Sequence, residues 1–264
     1  MVESSPGGEE PVSVPGPPGS AVAVFGDRLG IAERFTAILA DTGVSHGLIG
    51  PREVPRLWDR HVLNCAVVAP ALPDGVRLID VGSGAGLPGV ALAIARADLE
   101  VHLIEPMLRR TQWLSSTVEE LGLGNVTVHR GRAEEFHGSL TASWVTARAV
   151  ARIDKLARWC FPLLEPHGTL IALKGRSAES ELDEERATLT GLGMESGRVR
   201  QWGAGIVDEP TWTMELTVGS LQGGRPGHRA GRASAAKAGR GGSSRARRSG
   251  GGASASGRKR PGTD

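Results

Sequence analysis

Cysteine is scarce in this chain: only Cys65 and Cys160 occur in 264 residues, and no C-x-x-C pair is present. That spacing excludes a zinc ribbon and a disulfide framework. No run approaches about 18 consecutive apolar residues, so no membrane-spanning helix is expected. The opening MVESSPGGEEPVSVPGPPGS lacks a charged segment followed by an apolar one, which argues against a secretory leader. A cytoplasmic protein that makes no membrane contact is the resulting expectation. Acidic residues are nearly absent at the other end. From Leu221 to Asp264 eleven Lys and Arg face the single acid Asp264, so residues 1–220 hold 20 basic and 28 acidic residues and are net acidic.

That basic stretch is Gly, Ser, Ala and Arg, and it cannot offset the entropy of folding. It is expected to be disordered over residues 220–264, either attracting phosphate backbones through counterion release or serving only as a solubilising tail. A disordered tail is also expected over 1–20, a helical prelude over 21–72 and the main domain over 73–219. With 39% hydrophobic residues, the chain has ample material to bury a core.

What is present begins with LIDVGSGAGLPG, from Leu78 to Gly89. An apolar strand runs into a glycine-rich turn and then a helix, an arrangement that brings bare backbone against a nucleotide-like ligand. Two patterns overlap. Gly84 to Gly89 satisfies the dinucleotide pattern G-x-G-x-x-G, while Asp80 to Gly86 satisfies D-x-G-x-G-x-G, the first motif of S-adenosylmethionine-dependent methyltransferases. Register favours the second, because the strand ends at Val81 and the first glycine of the turn is Gly82, not Gly84. A pyrophosphate needs its first glycine at the strand end and its charge at the helix N-terminus. Asp80 would repel that anion and suits the cationic amino and sulfonium end of S-adenosylmethionine. About 20 residues on, Glu105 closes a second apolar strand, where a carboxylate accepts ribose hydroxyls. It also suits a helix start before Pro106.

Hydrophobic periodicity supplies the frame. Phe25, Leu29, Ala32, Phe35 and Leu39 recur at helical spacing, and Pro55 opens a second helix carrying Leu57, Val62, Cys65 and Val68. Strands are expected over 76–81, 99–104, 125–129, 143–146, 168–174, 198–202 and 211–218, with helices over 107–121, 153–161 and 178–189. Five β-α alternations followed by an antiparallel pair make an α/β fold: a doubly wound, seven-stranded, Rossmann-like sheet of the class I S-adenosylmethionine-dependent methyltransferase type with an N-terminal helical extension.

LIDVGSGAGLPG, LWDRHVLNC (57–65), HRGRAEEF (129–136), TARA around Arg148 and ALKG (172–175) together resemble the bacterial small-subunit rRNA methyltransferase G family, formerly called GidB. The resemblance covers roughly residues 25–218. It implies methyl transfer from S-adenosylmethionine to N7 of a guanine in 16S rRNA, either in free RNA or in the small ribosomal subunit. Nothing in the sequence argues against a monomer, which is the expected state. One stretch departs: Gly47-Leu48-Ile49-Gly50 stands where many members have Asn-Leu-Thr. The cofactor positions that carry over are Gly82 and Leu87, Ala133 and Glu134 after the third strand, and Arg148 after the fourth, beside Gly84 and Glu105 from the turn and second strand. Ala133 offers a backbone N–H to the adenine edge and Glu134 an acceptor for its amino group, although Glu134 also reads as an exposed acid at a helix start.

Missing residues narrow the target. A cytosine C5 enzyme needs a cysteine nucleophile at the active-site rim; Cys65 lies on the prelude and Cys160 late in a helix. An amino-nitrogen enzyme carries an Asn/Asp-Pro-Pro-aromatic turn after strand four, where this chain has Thr146-Ala147-Arg148-Ala149. Guanine N7 has an in-plane lone pair and loses no proton, so no catalytic acid or base, and no metal, is expected. Arg109, Arg132 and Lys174, with Arg148, all fall at one sheet edge and are expected to meet RNA. Trp58 and His61 either flank that cleft or pack the prelude. A small-molecule methyltransferase, a dinucleotide oxidoreductase and a pure RNA-binding protein are the competing readings.

Overall fold

A computed structural model describes residues 14–148 and 151–220. The segments 1–13 and 221–264, on which most of the expected tails fall, lie outside the described residues. α1 (Ala21–Phe25) passes through a tight turn into α2 (Leu29–Ile38), which widens to π geometry over Leu39–Gly43. Phe25, Ala32, Phe35 and Leu39 are buried, as their spacing implies, and Leu29 packs at the edge of the same core. The second prelude helix begins earlier than expected. Pro51 opens a 3₁₀ segment to Arg56, a π-helical stretch follows over Leu57–Val62, and α3 (Leu63–Ala66) completes it. Pro55 sits inside the 3₁₀ segment, whose looser bonding accommodates a residue without an N–H.

The sheet comprises β1 (Arg77–Val81), β2 (Glu100–Glu105), β3 (Val126–Arg130), β4 (Ala142–Arg148), β5 (Leu164–Lys174), β6 (Met194–Trp202) and β7 (Thr211–Val218). Its order is β3-β2-β1-β4-β5-β7-β6, and β7 alone runs opposite to the other six strands. Between the strands lie α4 (Gly89–Ala95), α5 (Leu108–Leu121), α6 (Ile153–Cys160) and α7 (Ala178–Gly191). The sequence places the start of β5 at Gly168, four residues late. Glu165, Pro166 and His167 form an irregularity in the pairing with β4, and His167 has a φ of 63°, so this part of the strand carries no alternation to read.

Strands buried on both faces explain the apolar runs. Leu78, Leu103, Ile171 and Leu173 point into a core shared with α1–α5, whereas Ile79, Ile104, Leu170 and Ala172 enter a second core under α6 and α7. The prelude and the sheet are therefore joined by one hydrophobic cluster. Polar ties reinforce it: Arg28 Nε donates to Ile94 O at 2.7 Å and Arg34 Nη2 to Leu121 O at 3.1 Å, satisfying carbonyls at the C-terminal ends of α4 and α5. Trp113 Nε1 donates to Thr42 Oγ1 at 2.9 Å. Among the described residues no helix is long and apolar enough to cross a membrane.

Candidate functional site

The chain returns from β3 to β4 on the far side of β1, so the order reverses at the carboxyl ends of β1 and β4. A ligand crevice forms where that reversal leaves neighbouring loops diverging. The turn after β1 is held from below. Gly82 and Ser83 N–H groups donate to Ile104 O at 2.9 and 3.2 Å, and Gly89 N–H donates to Asp80 Oδ2 at 3.0 Å. Two glycines are required by contact. A Cβ on Gly86, at φ 80°, would lie 2.6 Å from Val90 Cγ2, and one on Gly89 would strike the Leu103 side chain and approach Asp80 Oδ2 at 2.7 Å.

Asp80 is fully buried beneath this turn rather than open to the crevice, and its Oδ1 has no hydrogen-bond partner among the described residues. Burial pushes its carboxyl up to about 7, against the pull of the Gly89 N–H and the Ser83 side chain. That orphaned oxygen tests the two ligands. A pyrophosphate over the turn adds charge of the same sign, whereas a sulfonium or ammonium group offsets a carboxylate that forms no ion pair among the described residues and feels only the distant pull of Arg148. Because the folded value lies above the unfolded one, Asp80 contributes most to stability below about pH 4, and that contribution is lost as pH rises toward 7. The loss is at most about 4 kcal/mol. Asp80→Asn should accordingly raise the melting temperature of ligand-free protein more at pH 8 than at pH 5; an equal change at both pH values would rule out an ionising Asp80.

Glu105 ends β2 as expected, buried and doubly used. Its Oε2 accepts Gly84 N–H at 3.1 Å and its Oε1 accepts Met107 N–H at 3.0 Å. It thus braces the turn and also caps the start of α5. The helix begins at Leu108 after Met107, so Pro106 precedes it and is not its first residue. A carboxylate has further acceptor capacity for ribose hydroxyls. Gly82, Glu105, Met107, Arg132, Ala133 and Glu134 line a cleft of about 220 Å³. Arg110 and Trp159, which the sequence did not single out, line it as well. Leu87, within the turn, is 8% exposed and packs into the core shared with the prelude rather than lining this cleft.

Arg148, at the end of β4, borders a different and larger cleft of about 770 Å³. Its guanidinium donates to Cys65 Sγ (2.9 Å), Arg60 O (2.9 Å) and His61 Nδ1 (3.0 Å), locking β4 to the prelude. A guanidinium only donates, so His61 Nδ1 accepts and Nε2 carries the proton it gives to Glu53 Oε2 at 2.9 Å. Burial holds the His61 imidazole below its usual range. Two of the five Arg148 N–H groups have no partner among the described residues and are open to a ligand. Trp58 packs rather than flanks: it is buried against Phe25 and its indole donates to Pro15 O at 3.0 Å.

The expected RNA-facing cations are dispersed. Arg109 and Arg132 are exposed near the small cleft, and Arg132 lines it. Lys174 borders the large cleft, but its Nζ is held by Glu181 Oε1 at 2.9 Å and Ala151 O at 3.1 Å, so it fixes β5 to α7 and its charge is neutralised. Arg56, Asp59, Arg60 and Asn64 on the prelude, with Arg176, Asp208 and Glu209 opposite, line that cleft and were missed. The four-residue spacing of Arg56, Arg60 and Asn64, which places them on one helical face, was the available signal.

The family model for rRNA small subunit methyltransferase G matches residues 28–207. The protein of that name from Streptomyces coelicolor is 51% identical over 232 residues, covering 88% of this chain and 97% of that one. The Thermobifida fusca protein of the same name is 54% identical over 202 residues, 76% of this chain and 85% of its own. Among solved structures, mitomycin 7-O-methyltransferase aligns with a TM-score of 0.51 and 17% identity over 70% of this chain and 60% of that one, a likeness of fold. With the family model spanning most of the sheet and two relatives above half identity, this chain belongs to the rRNA small subunit methyltransferase G family.

Proposed function

We propose that this chain, as a member of that family, transfers the methyl group of S-adenosylmethionine to N7 of a guanine in the 16S RNA of the small ribosomal subunit. The observation that carries this reading is the buried Asp80 carboxyl, whose Oδ1 has no hydrogen-bond partner among the described residues, under a turn whose glycines leave backbone bare. When bound, S-adenosylmethionine supplies an electrophilic methyl carbon on a positively charged sulfur. Gly82, Gly84 and Leu87 receive it at the turn, Glu105 takes the ribose hydroxyls, Ala133 and Glu134 hold the adenine edge, and Arg148 offers its two remaining N–H groups to the carboxylate end. Guanine N7 needs no base, so the protein's contribution is alignment and exclusion of water. Arg109 and Arg132 attract the RNA backbone at the rim, while Lys174 acts through its pairing with Glu181. The protein works as a monomer in the cytoplasm.

Nucleoside mass spectrometry of 16S RNA from cells lacking the protein should show one 7-methylguanosine fewer than wild type, restored by re-expression. An unchanged inventory contradicts the proposal. Calorimetry should give binding of S-adenosylmethionine and none of NAD.

A further inference from the structure

Methylation at N7 constrains how guanine is recognised. The arginine fork that commonly reads guanine grips O6 and N7 together, and here N7 must stay free with its lone pair aimed at the incoming carbon. Recognition then passes to the opposite edge, where N1–H and the N2 amine are donors and require an acceptor. A carboxylate meets both at once. An anionic partner on N1–H also raises electron density across the ring and makes N7 a better nucleophile.

Three carboxylates line the large cleft, and they differ. Glu209 lies 3.6 Å from Arg176. Asp59 and Asp208 have no hydrogen-bond or ion-pair partner among the described residues. Asp208 sits in the turn between β6 and β7, whereas Asp59 stands on the prelude helix between two fixed points: Leu57 and Trp58 are buried, and the carbonyl of Arg60 is held by Arg148. A side chain on a braced helix is positioned more sharply than one on an exposed turn. Arg56, one turn earlier on the same face, has no carboxylate within 4 Å among the described residues and is available to a phosphate; Arg60 is only loosely paired, 3.7 Å from Glu53.

We propose that Asp59 is the specificity residue for the target base, accepting N1–H and the N2 amine of guanine in the cleft between the prelude and β4–β5, with Arg56 on a flanking phosphate. This rests on the reading of guanine N7 as the methylated atom.

The test uses small subunits reconstituted with 16S RNA carrying either guanosine or inosine at the target position, inosine lacking only the N2 amine. Wild-type protein should favour guanosine in kcat/KM by roughly 10- to 150-fold, the range for one hydrogen bond to a charged group. Asp59→Ala should lose both contacts on guanosine and only the N1–H contact on inosine, so that guanosine falls further and the ratio comes near one, with S-adenosylmethionine binding and melting temperature as in wild type. Arg56→Ala should keep the ratio and reduce the salt dependence of particle binding by about one phosphate contact. A wild-type ratio near one, an Asp59→Ala ratio equal to wild type, or collapse of the ratio in Asp208→Ala instead would overturn the assignment. Failure of the underlying function would look different: wild-type protein would bind S-adenosylmethionine and methylate N7 of the target purine on neither particle.

Discussion

Arg148→Ala should cost about 2–4 kcal/mol of stability and most of the methylation activity, because it strips one donor from each of three prelude acceptors at once. The loss has a definite location. Cys65 Sγ, Arg60 O and His61 Nδ1 all lie between residues 60 and 65, so amide exchange should accelerate across 57–66 while the strands other than β4 keep their protection. Arg148→Lys restores the charge but offers an ammonium where a planar fork reaches three acceptors, and should recover little. Calorimetry separates the two roles of this residue: weaker S-adenosylmethionine binding reports the N–H groups left for the ligand, and faster exchange reports the strut. Unchanged exchange over 57–66 would mean that the prelude does not depend on Arg148.

The second large effect is expected at Gly89. Gly89→Ala drives a methyl into the side chain of Leu103 and toward Asp80 Oδ2, and overpacking of this kind costs about 1–3 kcal/mol. In a domain of this size each kcal/mol corresponds to about 2–4 °C of melting temperature. The strain is relieved by lifting the turn, the very segment proposed to receive the ligand. Affinity for S-adenosylmethionine should therefore fall about ten- to a hundredfold if the same energy is spent on displacing it. Normal binding and melting by this variant would show that the turn is not seated on Asp80.

How much of this was visible in the sequence depends on how far apart the partners lie. The turn, Asp80 and Glu105 were legible because each sits at the end of a short apolar strand, and strands buried on both faces announce themselves as runs. The strand over 211–218 was found to the residue. The beginning of β5 was not, since Glu165-Pro166-His167 interrupts the pattern where the pairing itself slips. Arg148 illustrates the deeper limit. Its place at the end of β4 was readable, but its partners are 83 to 88 residues away, and no local spacing encodes them. The same is true of Asp80, whose rise to about 7 depends on burial that only the packed turn creates. Lys174 read as a free cation because Glu181, seven residues on, reaches it only once α7 folds back over the sheet edge.

The antiparallel β7 lies between β5 and β6, yet it is the last strand in chain order. During synthesis, β5 and β6 are both made before the strand that joins them, and each must wait with an open row of N–H and C=O groups. Thr169 to Lys174 on one side and Met194 to Trp202 on the other cannot pair until residues 211–218 emerge. A ribosome stalled short of Thr211 would thus hold a nascent protein with two sticky borders, the state most prone to being captured by another chain.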